Sequence, residues 1–336
     1  MKYLTFAYPE EPNRPQIGAL LGEMVLDLRA TSKWAQSARG LPRENLPRTL
    51  FEHIHAGPAA WAYARNLINV LEGEDARQIS AGGRPVGKAL NQILLYPPLP
   101  RPTSLRDFYA FEAHVATANA NRGREVPPEW YEFPVFYFSN PNAIFGPGET
   151  VPYPVSSQAL DYELEVACVI STAGRDIKES EADAHIFGYT IFNDWSARDI
   201  QRREMRVGLG PAKGKDFASS LGPWIVTPDE LSERATGRPG VYDLSMIARV
   251  NGKERSRGNW KDLHYSFGEM IARASADAYL LPGDVLGSGT VGTGCLLELT
   301  RGEGPWLAPG DVVSLEIEQL GILENRIGSS ERAPAR

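Results

Sequence analysis

The 336-residue sequence has only two cysteines, Cys168 and Cys295, both in apolar, strand-like surroundings. That excludes a disulfide framework and suits a reducing, cytoplasmic setting. No apolar run reaches membrane-spanning length, and the opening MKYLTFAYPEEPNRP lacks the apolar core of a secretory signal. No membrane partner is therefore expected. Basic residues are not concentrated anywhere along the chain. Lys and Arg total 35 against 42 Asp and Glu, a net charge of −7, which speaks against nucleic acid as a partner. Nucleotide fingerprints are missing too. The Gly-rich stretch 207–224 holds Lys213 and Lys215, but a P-loop requires Gly, four residues, then Gly-Lys and Ser or Thr. Here Gly208 is one residue too far from Gly214-Lys215, and Asp216 follows the lysine.

What is present points to a soluble globular protein, with 42% apolar and 23% charged residues. The 32 glycines and 26 prolines favour a turn-rich, β-rich, mixed α+β fold over a helix bundle. Length suggests about two domains. Residues 1–95 read as a small N-terminal β-rich domain. KYLTFAY and GALLGEMVLDL form a hairpin there, residues 47–72 have helical spacing, and residues 73–92 make a linker. His53 and His55, two apart, diverge by about 200° on a helix, so they are packing or surface residues and not joint metal ligands. Residues 96–327 form the second domain, and the tail 328–336 is expected to be disordered.

The organising stretch is LDYELEVACVI, residues 160–170. It alternates with period two, a strand signature. Glu163 and Glu165 then project side by side from one face. Carboxylates that close repel unless water or a cation separates them. The plain alternative is a strand with one wet face. Apolar Ala167 and Val169 continue the carboxylate face into a core, which favours a metal site at its entrance. Further on, NDWSARDIQ follows a buried strand. Asn193, Asp194 and Ser196 are strong helix N-cap residues, so capping is the competing role for Asp194. Arg198, Gln201 and Arg202 share one helix face, while Asp199 and Arg203 form an ordinary surface pair. Residues 119–134 read as a charged, proline-interrupted loop.

Together these segments resemble the fumarylacetoacetate hydrolase family over roughly residues 97–327. NDWSARDIQ is the most specific match, and LDYELEV, RDFYAFEAHV, GPAKGKDF, GSGTVG and LLELTRG follow the family's order. The resemblance implies a fumarylacetoacetase-type β-roll catalytic domain in a homodimer. It places Asp107, Glu163, Glu165 and Asp194 around one divalent cation, Mg²⁺ or Ca²⁺ with Mn²⁺ as a further option. It makes His114 the general base and Glu298 its orienting partner, with Arg198, Gln201 and Lys215 stabilising an oxyanion. Tyr109, Tyr137 and Thr290 match substrate-contacting positions. Arg122 and Arg124 both lie where the family has one substrate-clamping arginine.

The implied activity is hydrolysis of a carbon–carbon bond in a β-diketone, fumarylacetoacetate-like or an acylpyruvate. The alternative is a 2-oxo acid hydratase, isomerase or decarboxylase acting through a metal-bound enolate. Three features depart from the family's patterns. PVFYFSNPNAIFG replaces the VGYHGR of animal fumarylacetoacetases, and Met205 replaces a tyrosine. Some relatives pair the histidine with a glutamate three residues later, but that position here is Thr117. A His114–Glu298 pair is therefore the expected base.

Overall fold

The strand Leu164–Ile170 has no wet face: all seven residues are buried, Glu165 included. Val166, Cys168 and Ile170 pack with Met246, Ala248 and Leu315, while Ala167 and Val169 pack with Leu50, Ile54 and Leu67 on the other side. A strand covered on both faces must be apolar on both, which accounts for its sequence beyond Glu165. The expected single strand is also interrupted, because Leu160–Asp161 pairs elsewhere and pairing resumes only at Leu164. The computed structural model describes residues 1–330 apart from Arg43 and Asn45. The expectation for residues 331–336 therefore lies outside the described residues. Gly328 is placed by a hydrogen bond from its N–H to Val151 O.

In chain order, the strands of the large sheet's path are β1 (Lys2–Ala7), β2 (Gln16–Leu21), β3 (Met24–Asp27), β4 (Gly87–Ala89), β5 (Leu105–Phe108), β6 (Phe136–Ser139), β7 (Leu164–Ile170), β8 (Ile186–Asp194) and β9 (Ser219–Val226). β10 (Ser245–Val250) and β11 (Lys253–Asn259) belong to a second sheet, β12 (Val285–Gly287) returns to the first, and β13 (Val312–Ile317) and β14 (Gly321–Ile327) complete the second. The large sheet runs β4-β3-β2-β1-β9-β8-β7-β12-β5-β6, and the second contains β14-β13-β10-β11. Pairing crosses the expected domain boundary near residue 95, since β1 lies antiparallel to β9 with Tyr3 opposite Ile225. The N-terminal segment and the remaining chain thus share one sheet.

Local signals explain the helices. α1 (Leu28–Arg39) starts at Asp27, whose carboxylate accepts from the Arg29 and Ala30 N–H groups, and ends at left-handed Gly40. The expected helix over residues 47–72 is two helices, α2 (Leu50–Ala56) and α3 (Pro58–Asn69). Gly57 at φ 80° and Pro58 break it. GALLGEMVLDL is likewise two strands, and part of the expected linker pairs as β4 with β3. α4 (Glu112–Ala120), α5 (Arg198–Glu204), α6 (Phe267–Ser275) and the single turn α7 (Leu296–Leu299) follow. Cys168 and Cys295 are free and buried.

Candidate active site

Three strand ends converge on one cavity. Asp107 lies on β5 beside β12, parallel and in register with Gly287, and Glu165 lies on β7 opposite Phe192 of β8. Glu163 is fixed just before β7 by its own N–H donating to Asn193 Oδ1 at 2.9 Å. A Cβ at Gly287 would lie 2.6 Å from Asp107 Oδ1 and 2.7 Å from the Phe192 ring, so the strand passes only as glycine. Asp107, Glu163 and Glu165 each present an oxygen within 4.8 Å of the others. The Gly289 N–H donates to Asp107 Oδ1 (3.2 Å) and Glu165 Oε2 (3.0 Å), and Thr290 Oγ1 donates to Glu165 Oε1 (3.3 Å).

Asp194 does not cap a helix. It is the last residue of β8, and the residue preceding α5 is Ala197, which has no side-chain cap. The capping expectation fails because strand pairing claims Asn193 and Asp194, opposite Ser220 and Ser219. Asp194 Oδ2 accepts from Lys215 Nζ at 2.6 Å and from the Tyr137 hydroxyl, while Oδ1 is buried with no hydrogen-bond partner. The Asp199–Arg203 pair is also absent: Asp199 accepts from Ser157 Oγ (2.6 Å) and the Gln158 N–H (2.9 Å).

Two cations divide the carboxylates into unlike groups. Lys215 Nζ donates to Glu163 Oε2 at 2.5 Å, and Arg198 Nη2 donates to Glu163 Oε1 at 2.8 Å. Burial opposes ionisation of Glu163, but Lys215 and Arg198 outweigh it and hold the carboxyl down at about 2. Among the described residues, Asp107 and Glu165 make no ion pair with either cation. Burial, then Asp194, pushes Asp107 well above the usual carboxylate range, and burial, then Asp107 and Glu163, does the same to Glu165. Two buried carboxyls raised first by burial and then by neighbouring carboxylates, beside an orphaned Asp194 oxygen, leave room for positive charge. An all-oxygen donor set of this kind fits a hard divalent cation.

The second half of the site comes from helices. His114 on α4 and Glu298 on α7, 184 residues apart, meet with Nδ1 to Oε1 at 2.5 Å, both buried. Glu298 also accepts from the Thr293 N–H at 3.0 Å, and the Cys295 thiol lies 3.7 Å from Oε1. Glu298 thus lies on a helical turn. Tyr109 packs edge-on to His114, with ring centroids 5.3 Å apart, and burial pushes its hydroxyl up to about 12.

The cavity, about 250 Å³, is lined by His114, Tyr109, Tyr137, Gln201, Lys215 and Thr290 as well as by carboxylates. Arg122 reaches it, whereas Arg124 lines only an adjoining cavity. The loop carrying them is pinned at its far end. There, buried Trp130 donates from Nε1 to Tyr109 O at 2.8 Å and accepts at its own carbonyl from Tyr265 OH at 2.6 Å.

One organising residue was missed from sequence. Asp161 is fully buried, accepts from Arg198 Nε at 2.8 Å, and takes the Leu296 and Leu297 N–H groups at 2.8 and 3.0 Å. It ties Arg198 to the start of α7. The signal was its place two residues before Glu163 in the same alternation.

This arrangement sits within recognisable relatives. Residues 103–328 match the family described as Fumarylacetoacetate (FAA) hydrolase C-terminal. Fumarylacetoacetase of Arabidopsis thaliana is 30% identical over 87% of this chain and 82% of its own length. Oxaloacetate tautomerase YisK of Bacillus subtilis (strain 168) is 30% identical over 97% of this chain and 100% of its own. The fumarylacetoacetate hydrolase structure from Exiguobacterium antarcticum superposes with a TM-score of 0.68 at 25% identity, covering 98% of this chain and 99% of that one. No helix among the described residues is long and apolar enough to cross a membrane. The chain belongs to the fumarylacetoacetate hydrolase family, which includes hydrolases and tautomerases.

Proposed function

We propose that this chain is a divalent-cation-dependent hydrolase that cleaves the carbon–carbon bond between the two carbonyls of a β-diketo acid, an acylpyruvate or a fumarylacetoacetate-like compound. The observation that carries the reading is the buried His114–Glu298 pair at the cavity wall. With Nδ1 donating to Glu298, Nε2 remains as the proton acceptor for a water. The water oxygen attacks one carbonyl, its proton passes to Nε2, and negative charge develops on the former carbonyl oxygen.

Donors for that charge are already in place. Lys215 is held as an ammonium: burial works against its charge, but Asp194 and Glu163 raise its pKa above the ordinary value. Arg198 Nη1 donates to Gln201 Oε1 at 3.1 Å, which turns the amide so that its NH₂ is the group free for the cavity. Bond cleavage leaves the electron pair on the departing methylene carbon, conjugated with the second carbonyl, and protonation there completes the products. Asp107, Glu163, Glu165 and Asp194 would hold the cation, which as a Lewis acid polarises the two oxygens of the diketone. Mg²⁺, Ca²⁺ and Mn²⁺ all suit this donor set. A cytoplasmic homodimer is the form in which we place it.

The second reading is a tautomerase or isomerase, favoured by the full-length likeness to oxaloacetate tautomerase. There the same base moves a proton and no water adds. Turnover of acylpyruvates in ¹⁸O-water separates the two. Hydrolysis puts one ¹⁸O into the acid product, whereas proton transfer alone leaves both the carbon skeleton and its mass intact. Exhaustive chelation should abolish turnover, and Glu163→Gln should weaken cation binding in calorimetry. Full activity in metal-free protein would end the cation reading.

A further inference from the structure

The catalytic cavity opens into a second, larger one of about 530 Å³. Ala118, Arg122, Arg198, Gln201, Met205 and Leu297 line both, so the two are continuous. The outer chamber is ringed by Arg122, Arg124, Arg198, Arg202, Arg206 and Arg301, with Glu303 the acidic residue in its lining. The arginines come from three segments: the turn after α4, the helix α5 with its following turn, and the turn after α7. Arg198 is committed to Asp161 and Glu163. Among the described residues, the other five make no ion pair, and Arg202 gives only a long hydrogen bond to Gly302 O at 3.4 Å.

A solvated helix face is the plain explanation for such a group, but it fits poorly. Arg198 and Arg202 lie four residues apart on α5, where like charges repel. The helix C-terminus favours basic residues in its last turn, yet it does not account for Arg122, Arg124 and Arg301 facing the same space from elsewhere. The chain as a whole carries a net charge of −7. A cationic chamber beside the carboxylate cluster attracts anions.

We propose that the outer chamber is a second anion subsite that selects substrates whose acyl arm ends in a carboxylate, with Arg202 and Arg301 as specificity-determining residues. This rests on the diketone reading above and narrows it. The diketo end occupies the inner cavity, and the arm runs past Met205 and Leu297 toward the unpaired guanidiniums. Guanidinium forks match carboxylate geometry.

The test compares acylpyruvates of equal length that end in a carboxylate or in a methyl ester. Wild-type enzyme should prefer the carboxylate by about 10- to 100-fold in kcat/KM, the range for charge-assisted pairing. In R202Q/R301Q that ratio should fall to about one to three, with the ester's kcat/KM unchanged. Equal rates for the two substrates in wild type, or a loss in the variant that is the same for both, would overturn the proposal. Inorganic phosphate added to the ester reaction separates the sources of anion. An effect on ester turnover that disappears in the variant would assign the chamber to a free anion and also overturn it. If neither diketone is cleaved, the hydrolase reading fails by itself. Calorimetry with adipate and hexanoate still reads the subsite: adipate should bind wild type more tightly than hexanoate, and the variant should bind them alike.

Discussion

Two regions of the molecule bury a histidine, and they handle it in opposite ways. At the cavity wall, His114 pairs with Glu298 at 2.5 Å and its ring meets Tyr109 edge-on. In the N-terminal packing, His53 on α2 is fully buried against Tyr3 and Phe187, and neither ring nitrogen has a partner. Burial alone therefore does not mark a base. A carboxylate partner and an opening onto a cavity distinguish the candidate base. His114 has both, and among the described residues His53 has neither.

The sharpest way to break this comparison is to remove the partner. His114→Ala and Glu298→Gln should each lower turnover by about 10²- to 10⁴-fold, the range for general-base catalysis. Cation binding should survive both, since neither residue belongs to the carboxylate cluster. Thr117→Ala, on the same helix, should stay within about threefold. Near wild-type kcat in Glu298→Gln, or equal damage from Thr117→Ala, would remove the pair from the mechanism.

A smaller effect is expected where the two halves of the site join. Asp161→Asn keeps the size of the side chain but weakens its hold on Arg198 and on the first N–H groups of α7. Both the oxyanion donors and Glu298 would be less firmly placed. A loss of about 10- to 10²-fold, mostly in kcat, follows if positioning is its role. On the proposed mechanism Arg198 orients the oxyanion donors and Glu298 supports the base, so the pH profile should flatten as kcat falls. An unchanged profile with normal kcat would show that Asp161 serves packing alone.

How much of this was legible from sequence depends on the range over which residues act. The E-x-E alternation placed Glu163 and Glu165 together because strand periodicity is local. The resemblance to the family named Asp107, His114 and Glu298, which the fold brings together from one strand–helix segment and a helical turn 184 residues after His114. Local rules misled at Asp194, where Asn-Asp-Trp-Ser reads as a cap but sheet pairing with β9 wins. α1 went unread, although its Leu, Ala, Arg, Lys and Gln residues favour a helix and Asp27 caps its start. The arginine chamber could not be read at all. Its members are scattered from residue 122 to residue 301 and form no basic run.

The smallest expected effect on catalysis, none, comes from changing His53, and that makes it the control for the comparison. Burial lowers its pKa from 6.5 to about 4. The folded chain therefore keeps this ring neutral where the unfolded chain protonates it. Between pH 6.5 and 4 the unfolded state binds more protons, so stability from this group is fully present above pH 6.5 and is lost as pH falls through that window. The loss amounts to about 2 kcal/mol at pH 5, on the scale of 1.36 kcal/mol per unit. His53→Leu, of similar volume, removes the titration without opening the packing. Urea unfolding of both proteins at pH 7.5 and pH 5 reads the difference, and other titrating groups cancel between them. Wild type should lose about 2 kcal/mol more than the variant on acidification, with equal turnover at pH 7.5. Equal losses would mean that His53 finds a proton acceptor or water in solution, and the contrast with His114 would then rest on the cavity alone.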